Sequence, residues 1–145
     1  MTAVVEQHTE VMLLISRMIT SSPRNRQWLT TNFPLLFAVL KTLHGKAIES
    51  LDNLRCPVCN KQFRRRTATI AHFVRTHREF FIRIVNEVTD RYRKLLNAIN
   101  DRTHHIVLKL NGEELRFESR KELAEYIEQH PEVLEQILEQ FNASW

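Results

Sequence analysis

Glycine occurs only twice and proline only four times in these 145 residues. So few chain breakers exclude a linker-rich or disordered chain and favour long, ordered helices. Cysteine also occurs only twice. Both thiols are used in the metal reading given below, which leaves no disulfide framework and implies a reducing, intracellular setting, cytoplasm or nucleus. No apolar run approaches the roughly 20 residues of a membrane span, so no membrane partner is expected. The apolar stretch at 11–15 is short and has no basic leader, so it is not read as a signal peptide. A nucleophile–base pair, a phosphate loop and a carboxylate pair are all missing. No catalytic residue is therefore expected, and the chain reads as a non-enzyme.

What is present is concentrated between Cys56 and His77. Cys56 and Cys59 stand two residues apart, twelve residues separate Cys59 from His72, and four separate His72 from His77. Two thiolates and two imidazoles at this spacing suit a tetrahedral structural Zn2+ site. The first pair fits a tight turn, and the second pair sits about one helical turn apart on a helix end. A four-ligand site is closed to water and substrate, so the metal is expected to hold structure and not to catalyse. A C-x2-C redox pair is the competing reading, but it needs no histidines at this spacing.

These residues resemble the C2H2 zinc finger family over roughly 54–78. The family's apolar residue two before the first cysteine corresponds to Leu54, and its phenylalanine four after the second corresponds to Phe63. Its leucine three before the first histidine is replaced by Thr69, with Ile70 and Phe73 close by. The resemblance implies a ββα unit: a short hairpin, then a helix starting near Arg66. It also implies that bases are read from Arg65, just before the helix, and from Thr67, Ala68 and Ala71 on it. An arginine can grip guanine with two hydrogen bonds, whereas an alanine touches at most a thymine methyl. A lone finger without array linkers looks more like small regulators of archaea or their viruses than like eukaryotic arrays.

Charge is unevenly placed. Residues 54–95 carry eleven Lys/Arg against three acids, a net +8, while residues 111–145 carry nine Glu against three cations, a net −6. The positive field centres on the finger, where Lys61, Arg64, Arg65, Arg66, Arg75 and Arg78 are the candidate nucleic-acid contacts, with Thr67 among them. A solvated basic face is the plainer alternative. The acidic end is either a solvated helical face or a surface that repels nucleic acid.

The rest of the chain reads as mainly α with a small β part. Residues 1–53 form a helical scaffold and candidate dimerisation region. A first helix is expected over 3–20, from the spacing of Val4, Val5, Val11, Ile15 and Met18. Ser22-Pro23 caps a short second helix, and a third runs from about Phe33 to Asp52, slightly weakened by Gly45. Residues 54–100 hold the finger, whose helix is expected to run on, unbroken or slightly kinked, to about Asn97. Residues 101–145 form an acidic subdomain. There, after an Asn100–Thr103 turn, Asn111-Gly112 joins two strands and pairs Leu108 with Leu115 and Ile106 with Phe117. Ser119 to Glu122 is a capping box opening one helix, and Pro131 starts the last. His104 and His105 are read as strand-start residues.

One finger covers about three base pairs, too few for a firm complex. The expected function is therefore a zinc-dependent, DNA-binding transcriptional regulator acting as a homodimer on double-stranded DNA, with structured RNA the second nucleic-acid candidate. The alternative is a protein–protein adaptor whose finger is only structural and whose acidic C-terminal part binds a partner.

Overall fold

The computed structural model describes residues 8–101, 106–110 and 112–143. Its elements are α1 (His8–Thr20), α2 (Pro23–Asn32), α3 (Pro34–Asp52), α4 (Arg66–Thr76), α5 (Arg78–Ala98), β1 (Ile99–Asp101), β2 (Ile106–Leu110), β3 (Glu113–Phe117), α6 (Arg120–Gln129) and α7 (Pro131–Ala143). Val4, Val5, Arg102, Thr103, His104, His105 and Asn111, which figure in the sequence reading, lie outside the described residues. None of the described helices is long and apolar enough to cross a membrane.

The helical stripes turn inward. α1 buries Val11, Ile15, Met18 and Ile19, and α3 buries Leu36, Leu40, Ile48 and Leu51 among others. Each such aliphatic side chain contributes about 1.5–3 kcal/mol when fully buried. The α2 start follows its sequence signal: Pro23 takes the first helical position, and Ser22 Oγ accepts a hydrogen bond from the Asn25 N–H at 3.3 Å. α3 carries a kink that the sequence did not predict. His44 leaves helical geometry (φ −137°, ψ 33°) immediately before Gly45, whose missing side chain removes helix-favouring bias there.

α3 and α5 are the inner helices. α5 lies against α1, α3 and α7, and α3 lies against α1, α2, α4 and α6. The helix expected to run on, unbroken or slightly kinked, to about Asn97 does so as α4 and α5, which are separated by His77 alone, where the backbone leaves helical geometry (φ −116°, ψ 44°). No glycine or proline causes this bend. It falls on the residue whose ring must swing to the Cys/His cluster, while His77 N–H still closes α4 onto Phe73 O and His77 O still accepts from Phe81 N–H.

The C-terminal hairpin has the expected register, with Ile106 opposite Phe117 and Leu108 opposite Leu115. Two details differ. The expected turn at Asn100 begins instead as an edge strand, β1, with Ile99 opposite Leu108 and Asp101 opposite Ile106. β2 is thereby the middle strand of three, and Val107 is buried as well as Ile106 and Leu108. Ser119 Oγ caps α6 by accepting from Glu122 N–H, but the Glu122 carboxylate reaches back to Glu118 N–H, one residue earlier than a capping box requires. α6 docks on α3, and α7 docks on α5 and β2. One apolar core thus runs from Val11 to Leu138 and includes Cys56 and Phe73.

Candidate metal centre and the basic surface around it

α3 delivers the chain to the metal module without a linker. Arg55 N–H donates to Ser50 O and Leu54 N–H to Leu51 O, at 2.9 and 3.1 Å. This is the Schellman pattern of helix termination, which places its left-handed residue at Leu54 (φ 61°), where glycine is usual. Phe63 N–H then donates to Leu54 O, and Cys56 N–H to Lys61 O. Asn60 N–H closes the turn onto Cys56 O, with Asn60 also left-handed (φ 67°), as asparagine tolerates. The two strands expected here reduce to one bridge, Arg55 with Gln62. Left-handed residues at both ends of so short a loop leave little extended chain to pair, so the ββα arrangement is only rudimentary.

The four predicted ligands come together. One donor atom from each of Cys56, Cys59, His72 and His77 lies within 4.8 Å of every other. Cys59 Sγ and His72 Nε2 are 3.3 Å apart. Around a tetrahedral ion with sulfur and nitrogen ligands, neighbouring donors are about 3.3–3.8 Å apart. About an ångström of side-chain adjustment would draw the widest pair into that range. His77 Nε2 is buried and has no hydrogen-bond partner, as a nitrogen reserved for a metal would be. Thr76 Oγ1 stands 3.5 Å from His72 Nδ1, where it steadies the ring and leaves Nε2 toward Cys59. The His72 imidazole is held below its ordinary pKa, first by desolvation and then by the nearby His77 and Lys61. The neutral form that can bind a metal is thus favoured. Cys56 is buried and Cys59 exposed, so the cluster sits at the rim of the core.

Its apolar side is built from α4 and the start of α5. Phe73 is fully buried and meets the Phe80 and Phe81 rings edge-on at 6.1 and 6.0 Å. Phe63 lies 5.0 Å from the His72 ring. Thr69 is also fully buried, and its hydroxyl donates to Arg65 O at 2.8 Å, so threonine's polar group is satisfied inside its own helix.

The basic residues divide into two sets. Lys61, Arg64, Arg65, Arg75 and Arg78 are exposed and, among the described residues, make no ion pair; Thr67 is exposed beside them. Arg66 is different, and its assignment as a phosphate contact is corrected. Its guanidinium donates to Asp52 Oδ1 at 2.9 Å and to the Ser21 and Leu51 carbonyls, with its side chain 18% exposed. Asp52 also receives a two-pronged contact from the buried Arg26, at 2.8 and 3.0 Å. Arg26 Nε further donates to Met18 O. Burial alone would raise the Asp52 pKa, but the hydrogen bonds and charges of Arg26, then of Arg66, outweigh it and lower the pKa. This Arg26–Asp52–Arg66 clamp ties α2, α3 and α4 together. Sequence reasoning missed it because its three residues come from three segments with no shared spacing.

Of the base-reading positions, Arg65 and Ala68 are exposed, and Ala71 is half-buried. The acidic Glu125, Glu132, Glu135 and Glu139 form exposed faces of α6 and α7, while Glu128 pairs with Lys41 of α3 at 3.2 Å. In comparisons with protein-family models, curated proteins and solved structures, the chain matches none of them.

Proposed function

We propose that the protein is a zinc-dependent nucleic-acid-binding protein, a regulator that grips double-stranded DNA through the surface of α4. Cys56, Cys59, His72 and His77 would hold the zinc, whose two-sulfur, two-nitrogen donor set suits this ion. The metal would fix the Cys56–Cys59 turn against α4 and so set the spacing of the arginines around it. The observation that carries the reading is the set of exposed cations Lys61, Arg64, Arg65 and Arg75, without an ion pair among the described residues, around one short helix that holds no acid, with Arg78 beside Glu79 at the start of α5. Unpaired cations clustered on one face supply phosphate contacts, each releasing condensed counterions. Arg65 is the residue placed to reach a guanine edge; the alanines at 68 and 71 leave little else to read.

Binding through so small a footprint calls for two copies. The pairing face we assign to α1 and α2, where Leu13 and Trp28 are 60% and 62% exposed and Trp28 stacks edge-on against Phe33. Those exposures equally favour the second reading, an adaptor that binds another protein. One experiment separates the two: duplex binding by zinc-loaded protein at about 50 and 200 mM salt, for wild type and for the Arg64→Ala/Arg65→Ala double variant. The regulator reading expects affinity that falls steeply with salt and drops about tenfold or more in the variant. Salt-independent binding, or none, would leave the adaptor reading standing.

A further inference from the structure

α1 turns Val11, Ile15, Met18 and Ile19 into the core, and its other face is left over. There Glu10, Leu13, Leu14 and Arg17, with Phe33 beside them, line a groove of about 290 Å³. The four α1 positions stand at i, i+3, i+4 and i+7. That is the diamond of side chains that forms the hole for a knob from a facing helix. Trp28 meets Phe33 edge-on, so the apolar surface continues from the groove onto α2. Glu10 and Arg17 have no ion pair among the described residues. They lie on one face of α1 but about 10 Å apart along it, too far to satisfy each other.

The order of charges selects the occupant. Along the groove it runs acid, leucine, leucine, base, and reversed it is its own complement. A second α1 laid antiparallel, with a twofold axis between Leu13 and Leu14, sets each Glu10 against the Arg17 of the other copy. The leucines of each copy then enter the hole of the other, as an isologous contact requires. A parallel pair would set like charge against like. We infer that this face binds a second copy of the chain through antiparallel α1 helices, with reciprocal Glu10–Arg17 ion pairs closing both ends of a leucine contact. The inference rests on the pairing face assigned above and gives it one occupant and one geometry. α4 sits at the Thr20 end of α1, where Arg66 donates to Ser21 O. Antiparallel pairing therefore carries the two copies of α4 to opposite ends of the α1 pair, an arrangement suited to two inverted half-sites.

Charge exchange tests this without touching the core, because neither Glu10 nor Arg17 is buried. Full-length, zinc-loaded protein without nucleic acid is followed by sedimentation over a dilution series. Glu10→Lys alone and Arg17→Glu alone should each weaken dimerisation about tenfold or more, since either one turns both attractions into repulsions. The double variant should recover the dimer. So should an equimolar mixture of the two single variants, as a mixed dimer that neither forms alone. Such recovery is a result that a merely misfolded variant would not give. A wild type that stays monomeric throughout overturns the inference and leaves the face to an unlike partner. A dimer that neither reversal weakens, or a weakening that exchange does not restore, also overturns it. Duplex binding, measured separately, keeps the two readings apart. A monomer that binds DNA defeats this inference alone, and a dimer with the exchange pattern that binds no DNA defeats the nucleic-acid reading alone.

Discussion

Asp52 is the residue on which α4, with its candidate metal site, and the helical scaffold meet. Its carboxylate is shared by Arg26, whose side chain is only 7% exposed, and by Arg66. Removing it leaves two guanidiniums short of their counter-charge in a poorly solvated place. Asp52→Asn should cost about 2–4 kcal/mol, read from urea or thermal unfolding, less than for a fully buried pair because the carboxylate is a quarter exposed. The pH dependence has a definite sign. A carboxyl whose folded pKa is lowered contributes stability that is present above the ordinary carboxylate range and is lost as pH falls through the lowered value. The gap between wild type and Asp52→Asn should therefore be full near pH 6 and shrink from about pH 4 downward. A gap that stays constant to pH 2 would mean the carboxylate charge is not what matters.

Among the elements, local signals account for what was legible. The hairpin register was readable because Gly112 and the alternation of Ile106, Leu108, Leu115 and Phe117 pin it from within the segment. The α2 start was readable because Ser22 and Pro23 cap it. The four candidate metal ligands were readable from their spacing, and the structure brings them together. What was illegible depends on distant partners. β1 contains Asn100 and Asp101, poor strand formers, and exists because β2 offers an edge. The bend at His77 answers to Cys56 and Cys59, which lie before α4, and to no breaker in the sequence. Arg66 looked like its neighbours Arg64 and Arg65 and differs only in which way the α4 start turns it. Gly45 lies between these cases. It was visible as a weak point, and a methyl group there would meet only Lys41 Cγ at an ordinary 3.7 Å. Gly45→Ala should stabilise the protein by about 0.5–1 kcal/mol, raising the urea midpoint without changing its slope. A loss of stability would mean that the kink at His44 requires the bare backbone.

For the whole molecule, the metal module is not an appendage. Cys56 and Phe73 belong to the same core as Val11, Leu51, Ile84 and Leu134. Chelating the metal should therefore lower the unfolding temperature of the entire chain, by about 10 °C or more, within a single calorimetric transition. Two separate transitions, with only the smaller one sensitive to chelator, would show that the module unfolds on its own. The charge distribution acts at the same scale. The acidic faces of α6 and α7 are tied to the scaffold through Lys41–Glu128, while Lys61, Arg64, Arg65 and Arg75 stand exposed on α4 and the segment before it, a stretch with no acid. Opposite signs thus come from different elements, and under the proposed function that asymmetry would orient the protein toward a polyanion before contact.

Leu54 carries a consequence for how such a unit can be reused. It is at once the residue that stops α3 and the one that opens the metal turn, and it does so in a left-handed conformation that costs a leucine roughly 1–2 kcal/mol. At the other end, His77 is both a candidate metal ligand and the residue that caps the start of α5. The module therefore shares a residue with its neighbour at each border and is not portable. Strung in tandem or grafted elsewhere, it would need a helix ending at its first residue and another starting at its last. A foreign module inserted in its place would need glycine or asparagine at position 54 before α3 could end where it does.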